Sequence, residues 1–162
     1  MQYSIFLNGI FESVLNEILE FQTQVPEQTF YLQPYSSRII RKLSEHPPSS
    51  AEPIDLFISN ESDLSTVRYK AKIIGWEKKK NIRNSRIEAL NKLIQIIQPE
   101  EGDIYKVISG KDCANLLQIK DLEIINDPFS VEHFTKIKDG TPVKSGRATA
   151  GGWTYINPFT LD

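Results

Sequence analysis

The sequence predicts an α+β fold, a curved mixed sheet or partly closed β-barrel with three to four flanking helices. Three observations carry this. From Val67 to Ile73 the residues Val67, Tyr69, Ala71 and Ile73 alternate with Arg68, Lys70 and Lys72, the period of a strand with one face in a core and one in water. Ile87, Leu90, Leu93, Ile94 and Ile97 fall at helical spacing instead, giving an amphipathic helix over Arg83–Gln98 that Pro99 stops. Strand-like runs outnumber helical ones, with no regular βαβ alternation in the second half.

Taken in order, Tyr3–Leu7 (YSIFL) is a short apolar run that reads as a buried strand ended by Asn8-Gly9. A helix follows to Gln22, with Phe11, Val14, Leu15 and Ile18 on one side and Glu12, Asn16, Glu17 and Glu20 on the other; Pro26 closes it. Thr29–Gln33 reads as a second strand. Pro34-Tyr35-Ser36-Ser37 opens a second helix, capped by Ser36 or Ser37, with Ile39, Ile40 and Leu43 as its apolar side. The proline-rich His46–Pro53 cannot continue that helix and forms a loop.

Asp55–Ser59 and Val67–Trp76 then form a central hairpin. Its alternation breaks at Ile73-Ile74-Gly75, where the glycine marks a bulge or a close backbone approach. Ile104–Ile108 and Leu116–Ile125 are further strands. Asp127-Pro128 breaks the chain, and Ser130 caps a short helix carrying Val131, Phe134 and Ile137. Asp139-Gly140 turns into a closing segment whose Trp153 and Tyr155 lie on a terminal strand. The expected organisation is one domain over residues 1–162, with an N-terminal strand–helix element over about residues 1–25.

At 162 residues the chain can bury a core without disulfide or metal staples. A composition of 40% hydrophobic and 25% charged residues excludes the disordered and collagen-like classes. Cys113 is the only cysteine, and His46 and His133 lack a ligand-like spacing, so no metal and no other cofactor is expected. Neither a signal-peptide pattern nor a membrane-length apolar run appears, and the expected location is cytoplasmic. The net charge of −2 hides an asymmetry that matters more. Residues 1–65 carry three basic and nine acidic side chains, whereas the window Thr66–Lys92 has nine basic residues against Glu77 and Glu88.

The candidate phosphate-binding residues follow from that window: Arg68, Lys70, Lys72, Lys78, Lys79, Lys80 and Arg83, a cationic strand face running into a helix start. Arg38 and Arg147 extend the set. Arg147 stands near Gly151-Gly152, a turn able to hold an anion, although the P-loop spacing is missing. The candidate base pocket is Gln33, Tyr35, Ser36, Trp76, Trp153 and Tyr155. Both tryptophans follow glycine, which lets a flat ligand approach the backbone and stack on the ring. Gln33, Tyr35 and Ser36 add an amide, a phenol and a hydroxyl at a strand-to-helix junction, groups that read base edges or hold phosphates. No G-x-S-x-G elbow occurs, and no acid–base carboxylate pair is identifiable, so catalytic residues are unassigned.

The order of strand, helix, hydroxyl-rich helix start, DLFIS strand and long strand ending in Gly75-Trp76 resembles the PUA-like superfamily, its EVE and ASCH branches above all. The resemblance covers about Thr29–Trp76, with Gly146–Tyr155 as a closing strand. It implies a compact β-barrel with flanking helices that binds nucleic acid, often a modified or flipped base in an aromatic-lined pocket. Some ASCH relatives are hydrolases of modified nucleosides, but no lysine–threonine–glutamate set is matched here. The leading expectation is a nucleic-acid-binding module, for DNA or RNA. The alternatives are a hydrolase acting on a nucleotide or modified base in the same pocket, and a protein-interaction module whose acidic N-terminal part meets a protein partner. No membrane partner is expected.

Overall fold

The alternation from Val67 to Ile73 is realised in β4 (Thr66–Lys78), the long strand near the middle of a six-stranded mixed sheet. The structure is a computed structural model and describes residues 3–34, 41–102, 104, 115–144 and 152–161. The other strands are β1 (Ser4–Ile10), β2 (Phe30–Leu32), β3 (Ile54–Asn60), β5 (Asn115–Ser130) and β6 (Gly152–Ile156). They lie in the order β2-β5-β4-β3-β1-β6 and curl into a half-barrel. Among the described strands β1 and β3 run parallel, and the other neighbouring pairs are antiparallel. Among the described residues three α-helices flank the sheet: α1 (Glu12–Gln24), α2 (Arg41–Glu45) and α3 (Asn84–Ile97). The fold class is therefore the expected one. Among the described residues no helix is long and apolar enough to cross a membrane.

Both faces of the sheet are covered, and the alternation sorts the side chains between them. Ile5 and Leu7, Leu56 and Ile58, Tyr69, Ala71 and Ile73, and Leu117 and Ile119 form one core with Val14, Leu15 and Ile18 of α1 and Leu43 of α2. On the opposite face Phe6, Phe57 and Val67 pack under Phe134 at one end, and Tyr31 and Leu116 pack under Ile87, Leu90 and Ile94 of α3 at the other. β1, part of the N-terminal element that the resemblance does not cover, sits inside the sheet between β3 and β6. Burying its Ile5 and Leu7 completely makes it a structural centre.

Three register shifts set the phase of β4 against β5, and the two nearer Trp76 decide which side chains share its face. Ile73 pairs with Ile119 and Trp76 with Leu117, so three steps on β4 answer two on β5. The extra residue lies at Ile74-Gly75, the predicted break, and returns Trp76 to the face of Ile73. Further back, Lys70 pairs with Glu123 and Lys72 with Lys120, so here β5 carries the extra residue. Asp121 lies in this excess at φ 54, a conformation that aspartate accepts more readily than most residues.

Several boundaries differ from expectation. β5 runs through Asp127-Pro128 to Ser130, because the ladder shifts between Ile124 and Phe129 and leaves the proline outside the pairing. After Ser130 the chain makes only a 3-10 turn, Val131–His133, with Ser130 Oγ accepting the Glu132 N–H at 3.2 Å. Phe134 then returns to extended backbone and sits among Phe6, Phe57, Phe129 and Phe159 at centroid distances of 5.1–5.5 Å. Aromatic packing overrides the helical spacing there. Of the two remaining expected elements, the start of the second helix at 36–40 and most of the strand 104–108 lie outside the described residues.

Candidate functional site

The ends of β2, β4 and β5 meet at one end of the sheet. Leu32 and Trp76 both pair with Leu117, Lys78 pairs with Asn115, and the Asn115 N–H donates to the Pro34 carbonyl at 3.3 Å. Trp76 lies here, half-buried, packed against the core shared with α1. Its indole N–H donates to Asn115 Oδ1 at 2.9 Å, which fixes the ring while part of its surface stays accessible. Lys78, two residues on in a ladder that is regular from Gly75, shares its face. Gly75 faces Gln118, where an added Cβ would stand 3.0 Å from Oε1 of the amide, itself bonded to Thr29 Oγ1. The close approach expected from the broken alternation is thus made by the Gln118 side chain.

Beside these strand ends sits a second group that the sequence did not reveal. α3 ends at Gln98, fully buried, whose side chain accepts the Tyr31 N–H at 2.7 Å and donates to the Tyr31 carbonyl at 2.6 Å. The amide therefore acts as a one-residue strand on the open edge of β2. The following 3-10 turn, Pro99–Glu101, brings the Glu101 carboxyl onto Gln33, from which it accepts side-chain and backbone hydrogen bonds. Burial pushes this carboxyl up to about 8; the Gln33 bonds and the Lys79 charge pull it down, but not by enough to offset burial, and Glu17 adds to the rise. Lys79 is itself buried, in the 3-10 turn that follows β4. Glu17 of α1 is also raised by burial, although its carboxylate accepts the Glu100 N–H at 3.1 Å. Gln98-Pro99 at a helix end was the only local signal for this cluster; Glu101 and Asn115 gave none.

The strand cations are placed differently. Lys70 stands opposite Phe57 and Lys72 opposite Asp55, on the face away from α1 and away from Trp76. Lys70 pairs with Glu123 at 2.6 Å, Lys72 pairs with Asp55, and Arg68 pairs with Asp63 at 3.2 Å. Lys70 and Lys72 border a groove of about 650 Å³, shared with Asp121 and with Phe159 and Leu161 of the C-terminal segment. Beyond β4, Lys80 and Arg83 are exposed. Arg83 and Arg86 line a smaller cleft of about 520 Å³ with Glu77, which is ion-paired to Arg86.

Trp153 and Tyr155 lie on the edge strand β6, two strands beyond β3 and three beyond β4 in the sheet order. Both are buried, and their rings meet at 5.6 Å and 64°. Tyr155 also meets Tyr3 edge-on, and its hydroxyl oxygen accepts the Leu43 N–H at 3.1 Å. Burial pushes the Tyr155 phenol up to about 12, and raises Tyr3 as well. The two tryptophans thus border one core from separate strands, and of the two only Trp76 offers surface to a ligand. The structure brings Gln33, Trp76, Lys78 and Lys79 to one end of the sheet. Tyr35, Ser36, Arg38 and Arg147 lie outside the described residues. In comparison with known proteins, the chain matches no family model, no curated protein and no solved structure.

Proposed function

We propose that this chain is a cytoplasmic nucleic-acid-binding module of PUA-like, EVE/ASCH-like kind that reads a modified or flipped base. In this reading the base stacks on Trp76, Gln33 contributes polar contacts, and Lys78 and Lys80 meet the adjacent phosphates. The observation that supports it most is the fixed, half-exposed indole of Trp76 at a strand end flanked by lysines. A stacked base contributes about 1–3 kcal/mol, and lysine–phosphate contacts add a salt-dependent component. The lone cysteine fits a reducing compartment. Labelled DNA and RNA oligomers, plain and base-modified, are the test. Saturable binding at low salt is expected, and its absence for every oligomer would end the reading.

Glu101 favours one second reading. A carboxyl group raised to about 8, next to Gln33 and near Lys79, has the character of an acid–base residue. Under that reading the module is a hydrolase for a nucleotide or modified base. Turnover that disappears in Glu101→Gln, with binding intact, would favour it over simple recognition.

A further inference from the structure

The pairing of the cations bears on which form of nucleic acid the proposed site takes. Eight basic side chains between Arg68 and Arg86 are enough, by number, to follow a duplex backbone. Their placement divides them. Arg68, Lys70 and Lys72 are each answered by a carboxylate: Asp63, Glu123 on β5 and Asp55 on β3. Lys70 and Lys72, moreover, point to the face opposite Trp76, because the bulge at Ile74-Gly75 shifts the strand by one residue between Lys72 and the indole. A strand stacked on Trp76 would have to pass around the sheet to reach them. Arg86 is held by Glu77, and Lys79 is buried beside Glu101. Among the described residues of this stretch, Lys78, Lys80 and Arg83 are left as the cations that an incoming strand at this end can meet.

We infer that the site takes a short unpaired stretch of nucleic acid, neutralising two or three phosphates beside Trp76, and that Arg68, Lys70 and Lys72 make no contact with it. This rests on the nucleic-acid reading above and narrows it to single strands and unpaired loops. A phosphate count of that size has a measurable consequence. For single strands the logarithm of the binding constant falls with the logarithm of salt at about −0.7 per phosphate, so a slope of about −1.5 to −2 is expected. Engagement of all eight cations would give about −6.

The test uses the whole chain and a labelled single strand of about ten nucleotides, as DNA and as RNA, with the duplex of the same sequence alongside. Affinity is measured across a salt series. Two variants accompany it, Lys70→Gln with Lys72→Gln and Lys78→Gln with Lys80→Gln, each checked for an unchanged melting curve. The expected result is a slope no steeper than about −2, tighter binding of the single strand than of the duplex, and less than a twofold change in the Lys70/Lys72 variant. The Lys78/Lys80 variant should bind several-fold more weakly with a shallower slope. A slope near −6, preference for the duplex, or a clear loss in the Lys70/Lys72 variant would overturn the inference while leaving the nucleic-acid reading in place. Failure of both strand and duplex to bind at low salt would instead remove that reading, and the inference with it.

Discussion

The indole N–H of Trp76 is held by the Asn115 side-chain oxygen at 2.9 Å, across the last rungs of the β4–β5 ladder. Asn115 is fully buried, and its backbone N–H also reaches Pro34, so one residue ties the ring to the ends of two other strands. A platform whose orientation is fixed before the ligand arrives loses less entropy on stacking. Trp76→Ala should lower oligonucleotide affinity by about 5- to 150-fold, the equivalent of one stacked base, while Trp76→Phe keeps part of it. Equilibrium binding checks this, with thermal melting to show that the fold persists.

Gly75 makes the bulge that places that ring. Gly75→Ala puts a methyl group 3.0 Å from Gln118 Oε1. The Gln118 amide must then give way by a few tenths of an ångström against its bond to Thr29, at a cost of about 1 kcal/mol. In chemical denaturation, Gly75→Ala should be clearly destabilised, and adding Gln118→Ala should recover part of the loss. Additive losses would mean that the two residues do not press on each other.

Gln98 and Gln22 close the same sheet edge in the same manner. Gln22 of α1 accepts the Leu122 N–H and donates to the Leu122 carbonyl, both at 2.8 Å, as Gln98 does at Tyr31. They differ in burial. Gln98→Ala strands two buried backbone groups and should cost about 2–4 kcal/mol; Gln22→Ala, half-exposed, should cost about 1 kcal/mol because water can replace the amide. Urea denaturation of the two variants gives the comparison.

Glu101 gives the fold a pH dependence of defined sign. Its carboxyl is raised in the folded chain from an ordinary 4.5 to about 8, so the folded state holds this proton more tightly than the unfolded one. The contribution is most favourable below about pH 4.5 and is lost progressively as pH rises towards 8, with Glu17 shifting in the same direction. The melting temperature should therefore fall between about pH 5 and 8 and level off above, and Glu101→Gln should flatten that fall while keeping the contact with Gln33. An equal fall in the variant would place the titrating group elsewhere.

How much of this was legible in the sequence follows from the range of the forces involved. The alternation of Val67–Ile73 and the stripe of α3 are local patterns, and both elements appear where the spacing put them. The partners of the β4 cations were not legible, because Asp55 and Glu123 come from neighbouring strands whose register only the assembled sheet fixes. The faces were legible only from Tyr69 to Ile73: a register shift between Val67 and Tyr69 puts Val67 on the opposite face from its expected companions, and the extra residue after Ile73 exchanges the faces again. The pairing of Trp76 with Trp153 in one pocket was inferred from their shared glycine neighbours. Sheet order decides such proximity, and it puts Trp153 on the far edge. Glu101 acquires its character only from α1, β2 and the turn after β4 closing around it.

The most direct measurement uses Trp153→Phe, which leaves Trp76 as the sole indole in a chain that has two tryptophans. Titration with a single-stranded oligonucleotide should quench the Trp76 emission saturably, at the same concentrations at which binding is seen by an independent label. Adding Trp76→Phe should then weaken the binding. Undisturbed Trp76 emission through a complete binding curve, or full affinity without the indole, would contradict the account.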